Sequence, residues 1–250
     1  MGESNLGPDR RMGDQVEIDG GYQYRALTSG NPVQRFWHES KQLVIGDFLP
    51  PAPTDFVLDV GCGSGVISQY LGGFGAKVLG VDGSNAAIDF ARTRFSADNV
   101  TFVHGYVDEH LDLEQGVDKI YCLEVIEHVF QDQGLKMLRA FHDLLKPGGK
   151  ALLSTPNYHS LWPVIEWGMD RFSGAAHMDK DQHVCHYTPR RLTEACERAG
   201  FAVETLKTWC FVAPWLAPLN VRAARAVHRI ELKSPVPVGS LILAVATKPV

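Results

Sequence analysis

Cysteine is scarce in this chain, five among 250 residues. Cys62, Cys122, Cys185, Cys196 and Cys210 are odd in number and scattered, with no C-x-x-C pair. That excludes a disulfide framework and a zinc ribbon, and it suits a reducing compartment. Basic residues are in deficit as well. The formal net charge is −5 and no run of Lys and Arg breaks the balance, which argues against nucleic acid as a main partner. No apolar run reaches the roughly 20 residues of a membrane-spanning helix, and the first residues lack the apolar core of a signal peptide. Met1-Gly2 opens a myristoylation pattern that Leu6 breaks, since Ser or Thr is needed there. A cytoplasmic protein is therefore expected. There is also no internal repeat and no low-complexity tract.

What is present is enough apolar material for one sizeable core, 45% of the residues. Residues 1–16 are polar and glycine-bearing and are expected to be a disordered tail. Residues 17–250 are expected to form a single domain. The stretch Phe56 to Gly65 organises it. Phe56 to Val60 is a short apolar run carrying one acid, Asp59, and reads as a buried strand. Gly61, Gly63 and Gly65 follow within five positions, and then the chain turns helical. A strand, a glycine turn and a helix N-terminus let a backbone approach a ligand closely. The dinucleotide fingerprint G-x-G-x-x-G is missed, because Val66 stands where its third glycine belongs. Asp59 suits a ligand carrying an ammonium group and repels a pyrophosphate. Asp82 ends the next apolar run, where its two oxygens can accept from ribose hydroxyls.

From there the chain alternates. Helix 64–72, strand 77–81, helix 84–97, strand 100–104, strand 119–123, helix 131–145 and strand 150–154 follow one another. Strands over 201–209 and 238–247 close the series. Alternation of this kind predicts an α/β, doubly wound fold with a seven-stranded, mostly parallel sheet, helices on both faces and the last strand antiparallel. Ligands in such sheets bind at the carboxyl ends of the strands. That puts Gly61, Asp82, Tyr106, Leu123 and Thr155 on one rim. Lys146-Pro147-Gly148-Gly149 reads as a helix stop and a tight turn. A helical, aromatic segment over 22–49 precedes the first strand, either as a cap on the core or as a lid whose Tyr22, Tyr24, Gln34 or Arg35 meets a cofactor. Residues 156–187 interrupt the alternation with Leu161, Trp162, Trp167 and Phe172, then His177, His183 and His186. This insertion reads as an acceptor pocket or lid, as extra core, or, with Trp215 and the basic helix bearing Arg222, Arg225, Arg229 and Lys233, as a peripheral membrane contact.

The run Asp59-Val60-Gly61-Cys62-Gly63-Ser64-Gly65 resembles the first motif of class I S-adenosylmethionine-dependent methyltransferases. Val81-Asp82-Gly83-Ser84, Glu124-Val125-Ile126-Glu127-His128-Val129 and Leu144-Leu145-Lys146-Pro147-Gly148-Gly149 extend the resemblance over residues 31–200. The third block, with Ser154-Thr155-Pro156-Asn157, is similar to the demethylubiquinone O-methyltransferases and their small-molecule relatives. The resemblance implies S-adenosylmethionine as cofactor. It implies that Asp59, Gly61, Cys62, Gly63 and Gly65 receive the methionine part, that Asp82, Gly83 and Ser84 receive the ribose, and that Leu123 and Glu124 lie against the cofactor. In that family an Arg after an Asn-Pro-apolar triplet reaches the cofactor carboxylate. Here Gln34 takes its place and Arg35 comes one step late. An acid near the adenine is replaced by Tyr106, with Val107 and Asp108 beside it.

Methyl transfer to a phenol also needs a proton removed, best by a group with a pKa near neutrality. Glu124, Glu127 and His128 are spaced i, i+3, i+4, which on a helical turn puts them on one face. Three readings stand open: His128 as general base oriented by Glu127, the three as ligands for a divalent ion such as Mg2+, and a structural cap. His159, His177, His183 and His186 are further base candidates, and His186 sits just before a helix N-terminus, which favours the neutral imidazole. The expected activity is methyl transfer to a small, aromatic or lipophilic acceptor, at oxygen, by a monomer or homodimer. N- or C-methylation, a non-catalytic scaffold or membrane adaptor, and an NAD-dependent dehydrogenase are the alternatives. Val66 and Asp59 weigh against the last.

Overall fold

The computed structural model describes residues 20–28, 30–108, 111, 113–164 and 183–250. The expected tail over 1–16 lies outside the described residues, as do Trp167, Phe172 and His177 of the aromatic insertion.

Seven strands form one sheet: β1 (Phe56–Val60), β2 (Lys77–Asp82), β3 (Val100–His104), β4 (Val117–Leu123), β5 (Leu145–Pro156), β6 (Ala202–Trp209) and β7 (Leu241–Thr247). Their order is β3-β2-β1-β4-β5-β7-β6. The first five are mutually parallel, and β7 runs antiparallel to both β5 and β6. Chain direction reverses its march across the sheet between β1 and β4, the switch point where a doubly wound sheet opens a crevice.

Adjacent strand residues point to opposite faces, and the core divides accordingly. Leu58, Ile120 and Leu153 join one buried cluster with Leu138 and Phe141. Their neighbours Val57, Tyr121 and Leu152 join another with Ile45, Ile88 and Trp209. Each such side chain stabilises the fold by about 1.5–3 kcal/mol through area removed from water.

The helices begin where their capping residues dictate. The segment over 22–49 is not one helix but two, α1 (Tyr22–Thr28) and α2 (Pro32–Phe48). Pro32 disfavours helical backbone in the residue before it. Asn31 is extended there, and its side chain accepts from Gln34 N at 2.9 Å as the N-cap of α2. After β1 come α3 (Val66–Gly72), α4 (Asn85–Phe95) and α5 (Gln131–Leu144). Thr188 caps α6 (Pro189–Arg198), with Pro189 at its first position. Between β6 and β7 lie α7 (Ala213–Leu216) and α8 (Val221–Lys233). The carboxylate of Glu231 accepts from the N–H groups of Val212 and Ala213 and so fastens α7 to α8.

The expected helix stop is found at Leu144, and the turn over residues 146–149, with Gly148 at φ 75°, lies inside the fifth strand and not before it. Strand β5 starts at Leu145, directly after α5. Gly148 N donates to Lys248 O at 3.0 Å, and Lys248 N donates to Gly149 O at 2.9 Å, so the pairing with β7 continues past Lys150. On β4, Val117 pairs with Leu145 and Lys119 with Lys150, so residues 146–149 carry the irregularity as extra length on β5. Among the described residues no helix is long and apolar enough to cross a membrane.

Candidate active site

The carboxyl ends of β1, β2 and β4 converge on the glycine turn. Gly61, Gly63 and Gly65 all have positive φ, at 66°, 50° and 81°. Gly61 N and Cys62 N donate to Val81 O at 2.8 and 3.1 Å, which locks the turn to β2. Asp82 holds it from the other side. Its two carboxylate oxygens accept from Gly63 N and Ser84 N, both at 2.8 Å. Each oxygen keeps a second lone pair, so the acid shapes the loop while still able to receive hydroxyls. The ring of Tyr106 lies against Gly83, within 2.6–2.9 Å of where a Cβ would sit there. Val107 turns its side chain into the core instead. Ser84 caps α4 by accepting from Ala87 N.

Asp59 lies fully inside β1 and accepts from Ser68 Oγ at 2.5 Å. Burial, reinforced by the charge of Asp82, pushes its carboxyl up to about 7. Cys62 is buried with its thiol pushed upward by burial, which fits a packing residue and not a nucleophile.

Helices α1 and α2 cover the turn. Tyr24 N donates to Ser64 Oγ at 3.1 Å. The Tyr24 ring lies over α4, against Phe90 with the Arg94 guanidinium above it, so its side chain braces the cover. Gln23, which the sequence did not single out, reaches Gly63: a Cβ there would meet its amide oxygen at 2.7 Å. Beneath the cover is a cavity of about 20 Å³ lined by Gln23, His38, Lys41, Asp59, Gly61 and Leu123, among others. Gln34 and Arg35 do not line it. Gln34 donates to Tyr22 Oη and Arg35 to Gly30 O. The cation that does line it is Lys41, 5% exposed, 2.7 Å from Glu124 Oε2. Its signal was present in the sequence, because Lys41 falls in the apolar stripe of Trp37, Val44, Ile45 and Phe48 at i, i+4, i+7 spacing.

The third block folds differently from a helical turn with three side chains on one face. Glu124 adopts φ 57°, and only Ile126–His128 form a short 3-10 turn. Glu124 therefore points to Lys41, while Glu127 and His128 join His183 returning from the insertion. Their ligand atoms all lie within 4.8 Å of one another. The hydrogen-bonded Glu127–His128 pair is not formed: Glu127 Oε1 is 4.0 Å from His128 Nε2, beyond bonding distance. Glu127 is buried, and burial together with the charge of Glu124 pushes its carboxyl up to about 8. Its backbone oxygen accepts from Val184 N and Cys185 N, which anchors the end of the insertion at this rim. Tyr158 Oη lies 3.0 Å from His183 Nδ1. His186 is exposed and stacks on the Tyr158 ring at 4.0 Å, outside the group of three. His159 is also exposed. Trp162 is buried against Trp37, whereas Trp215 is half exposed.

A family profile described as "Methyltransferase domain" matches residues 34–206, more than half of the chain. The chain belongs to the methyltransferase domain family. A mitochondrial ubiquinone biosynthesis O-methyltransferase of Schizosaccharomyces pombe is 38% identical over 104 residues, 40% of this chain and 37% of that protein. A probable S-adenosylmethionine-dependent methyltransferase of Mycolicibacterium smegmatis is 26% identical over 230 residues, 92% of this chain and 82% of that protein. An S-adenosylmethionine-dependent methyltransferase of Thermotoga maritima superposes with a TM-score of 0.66 at 20% identity, over 95% of this chain and all of that one, and shows the shared fold. The chain spans 37% to 55% of the length of the ubiquinone-related relatives it matches. Membership of this family implies S-adenosylmethionine as the methyl donor, and the residues present fit that molecule. Beside Gly63 only the flexible amide of Gln23 stands where a Cβ would sit, Asp82 offers lone pairs for hydroxyls, and the Tyr106 ring lies next to them against Gly83.

Proposed function

We propose that this methyltransferase domain transfers the methyl group to an oxygen of a small aromatic acceptor whose proton is taken up at the Glu127–His128–His183 group. The observation that carries this reading is the convergence of those three side chains, with Tyr158, at the carboxyl end of β4. That is the rim where Leu123 borders the cofactor cavity. When bound, S-adenosylmethionine supplies an electrophilic methyl group on a sulfonium. The chain's own task is to align the acceptor oxygen with it and to remove a proton. A neutral imidazole at His128 or His183 is the acceptor for that proton. Glu127, protonated up to about pH 8, avoids placing a second anion beside the phenolate. Similarity to ubiquinone biosynthesis O-methyltransferases supports oxygen as the acceptor atom and a catechol or quinol as its carrier.

A second reading rests on the same three residues as ligands of a divalent ion that lowers the acceptor pKa. One carboxylate and two imidazoles suit zinc or manganese better than magnesium, which prefers an all-oxygen shell. Glu124, spent on Lys41, does not join the set.

The test is a panel of catechols, monophenols and amines assayed with the purified chain, before and after chelation. Methylation of catechols that survives chelation and falls about 100-fold or more in His128→Ala and His183→Ala supports the base reading. Activity abolished by chelation and restored by zinc or manganese moves the role to the ion. Turnover of amines with phenols untouched would overturn oxygen as the target.

A further inference from the structure

We infer that Lys41 is the residue that receives the carboxylate of the methyl donor's amino-acid end, held ready for it by Glu124; this rests on the cofactor reading above. Asp82, Gly83 and Tyr106 mark the nucleoside side of the glycine turn. The cavity under α1 and α2 is lined by Asp59 and Gly61 and by none of Asp82, Gly83 and Tyr106, which leaves it for the amino-acid end.

Among the described residues that line this cavity Lys41 is the one cation. His38 also lines it, but burial and the Lys41 charge pull its imidazole down to about 3, so it is neutral at any ordinary pH. Arg35 is exposed and turned to Gly30 O. An ammonium group that is 5% exposed is costly unless it is paired, and the pairing found is a single carboxylate oxygen at 2.7 Å. Three donors on Lys41 leave two for a second carboxylate. Glu124 Oε1 is itself buried without a hydrogen-bond partner, so the pair is not built as a saturated structural bridge. Glu124 is also held in left-handed backbone, at φ 57°, which a non-glycine residue adopts only when the surroundings impose it. Its backbone N–H donates to Ser154 O at 2.9 Å and fixes that conformation from the sheet. Lys41 is thereby aimed by the end of β4 and not by its own helix.

The experiment is titration calorimetry of the full chain with two ligands. S-adenosylhomocysteine carries the amino-acid end, and 5′-methylthioadenosine lacks it while keeping the nucleoside and the thioether. In Lys41→Met, affinity for S-adenosylhomocysteine should fall about 10- to 100-fold, the range of a charge-assisted bond, with affinity for 5′-methylthioadenosine within about twofold of the parent. Should Lys41→Met melt well below the parent, the double variant Lys41→Met/Glu124→Gln removes both charges and carries the same test. An unchanged ratio of the two affinities in these variants overturns the assignment, and so does an equal loss of both ligands, which marks Lys41 as structural only. Failure of the parent chain to bind either ligand removes the cofactor reading itself, and the assignment with it.

Discussion

The phenolic oxygen of Tyr158, on the segment after β5, lies 3.0 Å from Nδ1 of His183, at the return of the insertion. Two parts of the chain 25 residues apart thus meet over Glu127 and His128. In the tautomer whose Nδ1–H donates to the Tyr158 oxygen, the basic lone pair of His183 is on Nε2, which is then the nitrogen that takes up the acceptor proton. Tyr158→Phe should therefore lower kcat about tenfold by loosening the ring, and His183→Ala should lower it about 100- to 10,000-fold. Neither should move S-adenosylhomocysteine affinity more than about twofold. Steady-state kinetics beside titration calorimetry separates the two effects, and a matching loss of cofactor affinity would count against the assignment.

Asp82 offers a different separation. It accepts two backbone N–H groups and shapes the glycine turn before any ligand arrives. Asp82→Ala should destabilise the chain by about 1–3 kcal/mol, since both donors lose their charged acceptor. Cofactor-analogue affinity should fall more than about tenfold. Asp82→Asn keeps one acceptor oxygen and should fall between the parent and the alanine variant in both respects. Denaturant melts and titrations on the three proteins check the order.

The strands, the glycine turn and the acid ending β2 were legible because their signals are local. A short apolar run, glycines at fixed offsets and an acid at a strand end each constrain only a few neighbouring residues. The Thr188 cap belongs to the same class; the signals of the Asn31 cap and the Pro32 break are equally local, but reading 22–49 as one helical segment passes over them. The site at the end of β4 was only half legible. Spacing placed Glu124, Glu127 and His128 together on the assumption of a helical turn. The left-handed backbone at Glu124 divides them, and no propensity announces such a residue, because tertiary bonds to Ser154 and Lys41 impose it. His183 entered the group through a contact between positions 55 residues apart in sequence, which no sequence period encodes. Lys41 was visible as a charge in an apolar stripe, a sign of burial and hence of a partner.

The pH dependence of stability follows from the raised carboxyls. Asp59 keeps its proton up to about pH 7 when folded, whereas an unfolded Asp releases it near 4. Between those values the folded chain binds more protons than the unfolded one, so this residue's contribution to stability falls as pH rises. Glu127 carries the same trend on to about pH 8. Asp59→Asn keeps an acceptor for Ser68 and removes the titration. The melting temperature of the variant relative to the parent should rise between pH 5 and about pH 7 and level off above it. A difference that stays flat over that range would show that Asp59 ionises normally in the folded chain.

Two glycines of one turn should respond to the same substitution to different degrees and for different reasons. At Gly65 a Cβ would stand 2.9 Å from both Ala91 Cβ and Phe102 Cζ, which are buried and cannot retreat, and φ is 81°. Gly65→Ala should destabilise the chain by about 2–4 kcal/mol, combining left-handed strain with overpacking. At Gly63 a Cβ would meet only the amide end of Gln23, at 2.7 Å, and that flexible side chain can swing aside. Gly63→Ala should cost about 1–2 kcal/mol from its φ of 50° alone. It should nevertheless lower cofactor-analogue affinity, because the methyl group stands where the covering helix and the ligand both approach the backbone. Melting curves that rank Gly65→Ala below Gly63→Ala, with analogue affinity reduced in the better-folded variant, would separate the role of the turn in packing from its role in binding.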